Sequence, residues 1–274
     1  MFRRSTRRKP VARAPARTVL LLALLAVAGT THADEAGPLA GFLADVQSDF
    51  RIHYSPRPLL DVAAGFAVSA VLANGDADDA VQATFRDRLH GATGSRVASF
   101  GNGIGDAAQP LSAAPVYLAA MWLGRYGQAD ESVAARWAGN SLRSMLVASP
   151  QLIVLSRVSG GSRPGEGDSD WDGFADDNGV SGHAFYGAIP LLSATRLTDR
   201  RWAKVLLYGG SALPGLARVQ KDKHYFSQSL MGWWLAFSAA RSVARSNDQR
   251  GDRWRLSAVA IEDGVGLGVR RRFD

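Results

Sequence analysis

The chain predicts an all-α fold, a helical bundle with a short C-terminal β-hairpin. Three observations carry this. Apolar residues recur at three- and four-residue spacing through most of the length, as on the buried stripe of a helix. Helix stops punctuate those runs, Asn74-Gly75 among them. Only the tail changes period: Val265, Leu267, Val269, Arg271 and Phe273 alternate after Glu262-Asp263-Gly264, a hairpin signal with an Asp-Gly turn.

Residues 1–33 read as an address that precedes the fold. A basic region (Arg3, Arg4, Arg7, Arg8, Lys9, Arg13, Arg17) leads into the apolar core Val19 to Ala28 and the small-residue site Thr31-His32-Ala33, the pattern of a secretory signal peptide. Export to the periplasm is therefore expected, with 34–274 as one domain. The charge argument changes with it. The chain carries 32 basic and 25 acidic residues, and 1–33 hold seven basic residues and no acid, so 25 of each sign remain. A balanced domain gives no reason to expect a nucleic-acid partner. With no cysteine, it must rest on its core rather than on disulfides. No later stretch is expected to supply the ~20 apolar residues a membrane span needs, which leaves peripheral membrane contact as the most that is expected.

Leu39, Phe42, Leu43 and Val46 open the helical pattern, and the apolar, Ala-rich run Leu59 to Leu72 continues it. Asp76 to Leu89 reads as an amphipathic helix with an acidic first turn, favourable to the dipole. Residues 91–109, with Gly101-Asn102-Gly103-Ile104-Gly105, read as a surface loop: no strand precedes the glycines and no Lys-Ser/Thr pair closes them as a phosphate loop requires. Helical periodicity resumes over Val116 to Leu123 and Glu131 to Val147, with Pro150 expected in the first turn of a separate short helix, Gln151 to Arg157. A glycine- and acid-rich loop spans 159–180, and helices are expected over 182–197, 200–216 and about 222–244. In the last, Leu230, Trp233, Trp234 and Phe237 form an i, i+3, i+4, i+7 stripe that belongs to the core.

Chemistry concentrates in three short segments: Ser162-Arg163-Pro164, Ser181-Gly182-His183, and Arg218 followed six residues later by His224. Arginine offers a planar fork of donors matched to phosphate oxygens. A Ser-Gly turn at a helix start aims backbone N–H groups and the positive dipole end at an anion. Two histidines can divide the work, one attacking phosphorus and the other protonating the leaving oxygen. His53 and His90 lie in no such setting and read as ordinary residues.

In order and spacing, these segments resemble the three motifs of the type 2 phosphatidic acid phosphatase superfamily, which includes bacterial acid phosphatases, membrane lipid phosphatases and vanadium haloperoxidases. The resemblance covers about 156–235. It implies that Arg163 and Arg218 hold the phosphate oxygens and that Ser181 and the Gly182 amide add hydrogen bonds. It also implies that His183 is the general acid and that His224 is the nucleophile, passing through a phosphohistidine. Each motif departs from the family pattern. Ser156 stands where a lysine is usual, with Arg157 beside it as a possible substitute. Val180 replaces a proline. Gln228 replaces the acid four residues after the nucleophile; at i+4 it is expected on the same helix face as His224, where its amide oxygen can accept the imidazole N–H and fix the tautomer. The implied activity is an exported, cofactor-independent phosphatase acting on phosphorylated small molecules or lipid head groups. The alternatives are a phosphate- or phospholipid-binding relative that does not hydrolyse, and haloperoxidase chemistry on bound vanadate, which no residue favours.

Asp168-x-Asp170-x-Asp172-Gly173 matches the start of a calcium loop, but Gly179 stands where a bidentate Glu is needed, so a solvated acidic loop is expected and no metal site.

Overall fold

The computed structural model describes residues 38–89, 91–126 and 132–250, together with the backbone alone of 254–261 and 264–271. Nine α-helices occur among them. They are α1 Pro38–His53, α2 Pro56–Ala73, α3 Ala77–Leu89, α4 Ala92–Ala107, α5 Pro110–Tyr126, α6 Val133–Ser159, α7 Gly182–Ala194, α8 Arg201–Gln220 and α9 Phe226–Gln249, with a 3-10 turn over Thr195–Leu197. The body is all-α. The expected leader, 1–33, and His90 lie outside the described residues. So do the turn residues Glu262 and Asp263 and every side chain of the expected C-terminal hairpin.

α9 is the central element, packing against α1, α2, α6, α7 and α8. Its Met231, Leu235, Ala236 and Ala239 meet Phe185, Ile189 and Leu192 of α7 and Leu142, Met145 and Leu152 of α6 in one buried cluster. The expected stripe Leu230, Trp233, Trp234 and Phe237 is only partly buried and flanks the core, whose α9 face is Met231, Leu235, Ala236 and Ala239. Trp233 and Phe237 pack on that cluster, and the Trp234 indole donates to the Asp61 carbonyl of α2 at 2.9 Å. Burying side chains of this size stabilises by about 1.5–3 kcal/mol each, so α9 anchors the bundle.

Three sequence expectations are corrected. Residues 91–109 are helical over Ala92–Ala107. Glycine lowers helix propensity by about 1 kcal/mol per residue, but Gly101 and Gly105 let α4 press against its neighbours. A Cβ on Gly101 would lie 2.6 Å from the Leu213 carbonyl oxygen of α8, and one on Gly105 would lie 3.1 Å from the His183 ring of α7. Packing thus overrides local preference. Pro150 starts no new helix: it lies inside α6, which runs unbroken to Ser159. The adjoining turn is supplied with side-chain donors, Ser149 Oγ to Met145 O at 2.6 Å and Tyr54 OH to Val147 O at 3.2 Å. Lastly, 221–225 are not helical: α9 begins at Phe226, after His224.

α2 also departs from expectation, for among the described residues it is long and apolar enough to cross a membrane, with 28% of it buried inside the molecule. Leu60, Val68 and Val71 are on its exposed face.

Candidate functional site

The three motifs meet at one end of the bundle because each sits where a helix begins or stops. α6 ends at Gly160, whose φ of 63° is a left-handed cap that suits glycine, and Ser162-Arg163 follow directly. Ser181 caps α7, its hydroxyl accepting from the Ala184 N–H at 3.3 Å, so Gly182 and His183 form the first turn. Arg218 is in the last turn of α8. Its spacing of six to His224 has a physical origin. Asp222, at φ 52°, turns the chain, and the amides of Lys223 and His224 return to the Arg218 carbonyl at 2.9 and 3.3 Å. Asp tolerates the left-handed region better than most residues, and here its carboxylate is held by Arg86 at 3.0 Å and by Gln82. The Ser181 N–H donates to the Gln228 carbonyl at 3.0 Å, tying the start of α7 to the first turn of α9.

His224 is buried, and its Nδ1 is 2.8 Å from Gln228 Oε1. The contact expected from the sequence forms by a different route. His224 precedes the helix, Tyr225 is the N-cap, and Gln228 at the third helical position reaches back. The Gln228 amide is fixed in orientation because its Nε2 donates to the Ser162 carbonyl at 2.7 Å while the Tyr225 N–H donates to its Oε1 at 3.3 Å. Oε1 is therefore the acceptor, His224 carries its proton on Nδ1, and the Nε2 lone pair is left free. Burial is the main cause that pushes the His224 pKa down to about 3; the Gln228 hydrogen bond opposes it, and the charges of Arg218, Arg163 and His183 add to it. The imidazole is neutral above that pH.

His183 is half-buried, with Nε2 donating to Asp106 Oδ1 at 2.8 Å. Desolvation lowers its pKa first; the Asp106 hydrogen bond raises it, and the nearby Arg218 and Arg163 lower it. The two arginines are held by amides rather than carboxylates. Arg163 Nε donates to Asn178 Oδ1 at 3.0 Å, and Arg218 Nη1 donates to Asn102 Oδ1 at 3.2 Å. The buried Arg218 Nε–H finds no partner among the described residues. Desolvation and then the like charge of Arg163 lower the Arg218 pKa. Two guanidiniums with neutral partners and an orphaned donor form an electropositive pocket suited to an anion.

Not every expected residue joins. Arg157, the possible substitute for the missing lysine, is exposed and pairs with Asp177 at 3.4 Å. Ser156 is buried with its hydroxyl 3.4 Å from the Val180 carbonyl. The Ser181 oxygen serves the helix cap, which leaves only its O–H proton for a ligand. In the acidic loop, Ser169 and Trp171 turn inward: Ser169 Oγ donates to the Ala73 carbonyl and Trp171 packs against Phe66 with the rings tilted by 49°. The alternating Asp168, Asp170 and Asp172 point outward and are exposed. Among the described residues no group of three or more His, Cys, Asp or Glu could hold a metal ion.

Sequence reading missed Asn102 and Asp106, both on α4, and Asn178. The signal was the offset of four shared by Gly101/Gly105 and Asn102/Asp106, which puts a close-packing edge beside a polar one on one helix. Comparison with protein-family models, curated proteins and solved structures returned no match.

Proposed function

We propose that the protein is an exported phosphatase that hydrolyses phosphomonoesters or lipid (pyro)phosphates through a phosphohistidine, in keeping with the resemblance to the type 2 phosphatidic acid phosphatases. One observation carries the reading: Arg163 and Arg218, both with neutral amide partners, belong to one site with two histidines of opposite tautomer, His224 hydrogen-bonded through Nδ1 to Gln228 and His183 through Nε2 to Asp106. His224 holds its proton on Nδ1, so Nε2 attacks phosphorus. His183 has Nε2 committed to Asp106, so Nδ1 faces the leaving oxygen. The phosphoryl dianion raises the depressed His183 pKa on arrival, Nδ1 gives its proton to the leaving alkoxide, and the P–O bond breaks as N–P forms. Water then attacks phosphorus, surrenders a proton to Nδ1, and releases His224. The arginines and the Gly182 amide neutralise charge on the equatorial oxygens, each such donor being worth about 3–4 kcal/mol in the barrier.

A second reading, a phosphate- or phospholipid-binding relative without turnover, is favoured by Gln228 in place of an acid and by the Ser156 hydroxyl bonded to a backbone carbonyl. Exposed Leu60, Val68 and Val71 on α2 and Leu118, Trp122 and Leu123 on α5 favour a lipid substrate and contact with a membrane surface. The periplasmic destination rests on the 1–33 leader, and the C-terminal hairpin on the alternating Val265 to Phe273. Turnover of p-nitrophenyl phosphate, inhibited by vanadate, is the expected result. Vanadate binding without turnover of this or any lipid phosphate would select the second reading.

A further inference from the structure

A helix that carries no motif supplies the carboxylate the motifs lack. We propose that Asp106 is the positioning residue for His183, and that Asn102 joins this acid to Arg218 as one hydrogen-bonded unit; the inference rests on the phosphoryl-transfer reading. The unit is continuous. His183 Nε2 meets Asp106 Oδ1 at 2.8 Å, Asn102 Nδ2 donates to Asp106 Oδ2 at 2.6 Å, and Arg218 Nη1 donates to Asn102 Oδ1 at 3.2 Å. Gly105 lets α4 come close enough for this, since a Cβ there would meet the His183 ring.

The site needs such a group on electrostatic grounds. The arginines that hold a phosphate also drive the proton from the acid that must donate it, and both act on His183, as burial does. His224 is neutral and Gln228 is committed to it, so neither compensates. Asp106 is the carboxylate in contact with His183. It stabilises the imidazolium and fixes the ring so that Nδ1, not Nε2, is presented to substrate. Its position argues against a structural purpose: it sits in the last turn of α4, where a negative charge opposes the helix dipole, and its side chain is 59% exposed. A local rule broken at a site is a mark of function.

The test is Asp106→Ala in the full-length protein, with Asn102→Ala as a second variant. In imidazole 15N titrations His183 is expected to lose at least about half a pKa unit in Asp106→Ala, with its tautomer no longer fixed, while the melting temperature holds or rises. Alkyl phosphate kcat/KM is expected to fall at least tenfold and p-nitrophenyl phosphate by less than about threefold, since only the poor leaving group needs a strong acid. Asn102→Ala is expected to lower the His183 pKa and weaken vanadate inhibition together. An unchanged His183 titration, or equal losses on both esters, overturns the inference. The titration reads it even if the parent hydrolyses nothing, and in that case only the phosphatase reading falls.

Discussion

A neutral imidazole can attack phosphorus, whereas an imidazolium cannot, and burial beside two arginines keeps His224 in the reactive form down to about pH 3. Burial first, and then the charges of Arg218 and Arg163, hold His183 below the ordinary histidine value of 6.5 against the opposing pull of Asp106. The two shifts set a pH window. His224 must have lost its proton and His183 must still carry one, so kcat/KM is expected to rise with pH through about 3 and to fall through a midpoint below 6.5. An initial-rate profile with an alkyl phosphate, corrected for the ester's own ionisation near about 6, checks this. The kcat profile should have its falling limb at higher pH, because bound dianion stabilises the imidazolium. A falling limb of kcat/KM above pH 7 contradicts the assignment of His183. These residues were legible in the sequence because spacing carries them: the interval of six between Arg218 and His224 is spanned by the turn in which the Lys223 and His224 amides return to the Arg218 carbonyl. The form of the Gln228 contact was not legible, since i, i+4 on a helix and a capping side chain reaching back leave the same interval.

At the scale of elements, α4 explains what the sequence concealed. Its Gly101-Asn102-Gly103-Ile104-Gly105 run is a poor helix in isolation, and nothing local marks it as one. Its helicity is conferred by α8 and α7, whose backbone and side chains fill the space that larger residues would occupy. Pro150 misleads in the opposite sense, because a helix of this length, packed on α9 and α7, tolerates one missing donor. Gly101→Ala is expected to force α4 away from α8, since its Cβ would lie 2.6 Å from a backbone oxygen that cannot swing aside. The predicted cost is about 1–3 kcal/mol, measured by denaturant unfolding. Gly103→Ala, with open space around it, is expected to stabilise by up to about 1 kcal/mol. Equal effects at both positions would show that α4 is not held by close approach.

For the whole molecule, the buried polar groups oppose the acid conditions the site favours. His53 lies between α1, α6 and α9, with Nε2 2.9 Å from Gln151 Oε1 and Nδ1 3.2 Å from Ser242 Oγ. Desolvation lowers its pKa to about 4. Between 6.5 and 4 the unfolded chain binds a proton that the folded chain does not, so stability is full above 6.5 and is lost as pH falls toward 4. At about 1.4 kcal/mol per unit, the loss is on the order of 3 kcal/mol. Thermal melts from pH 7 to 4 should show the decline, and His53→Gln should flatten it by that amount; an identical slope in the variant would remove His53 as its cause. The bundle itself was readable from period alone. The stripe Leu230, Trp233, Trp234 and Phe237, by contrast, flanks the core at partial burial, and the fully buried face of α9 is Met231, Leu235, Ala236 and Ala239, because the small residues let the helices approach there. The exposed apolar face of α2 was not foreseen, since periodicity tells which residues share a face but not which face finds a partner.

The central claim is that His224 Nε2 takes the phosphoryl group. The direct measurement is a rapid alkaline quench during turnover of an aryl phosphate, followed by peptide mass spectrometry. The account predicts a phosphoryl adduct on His224, absent in His224→Ala and accumulating when His183 is replaced, because His183 also activates the water that releases it. Turnover at normal rate in His224→Ala, or an adduct on any other residue, would contradict it.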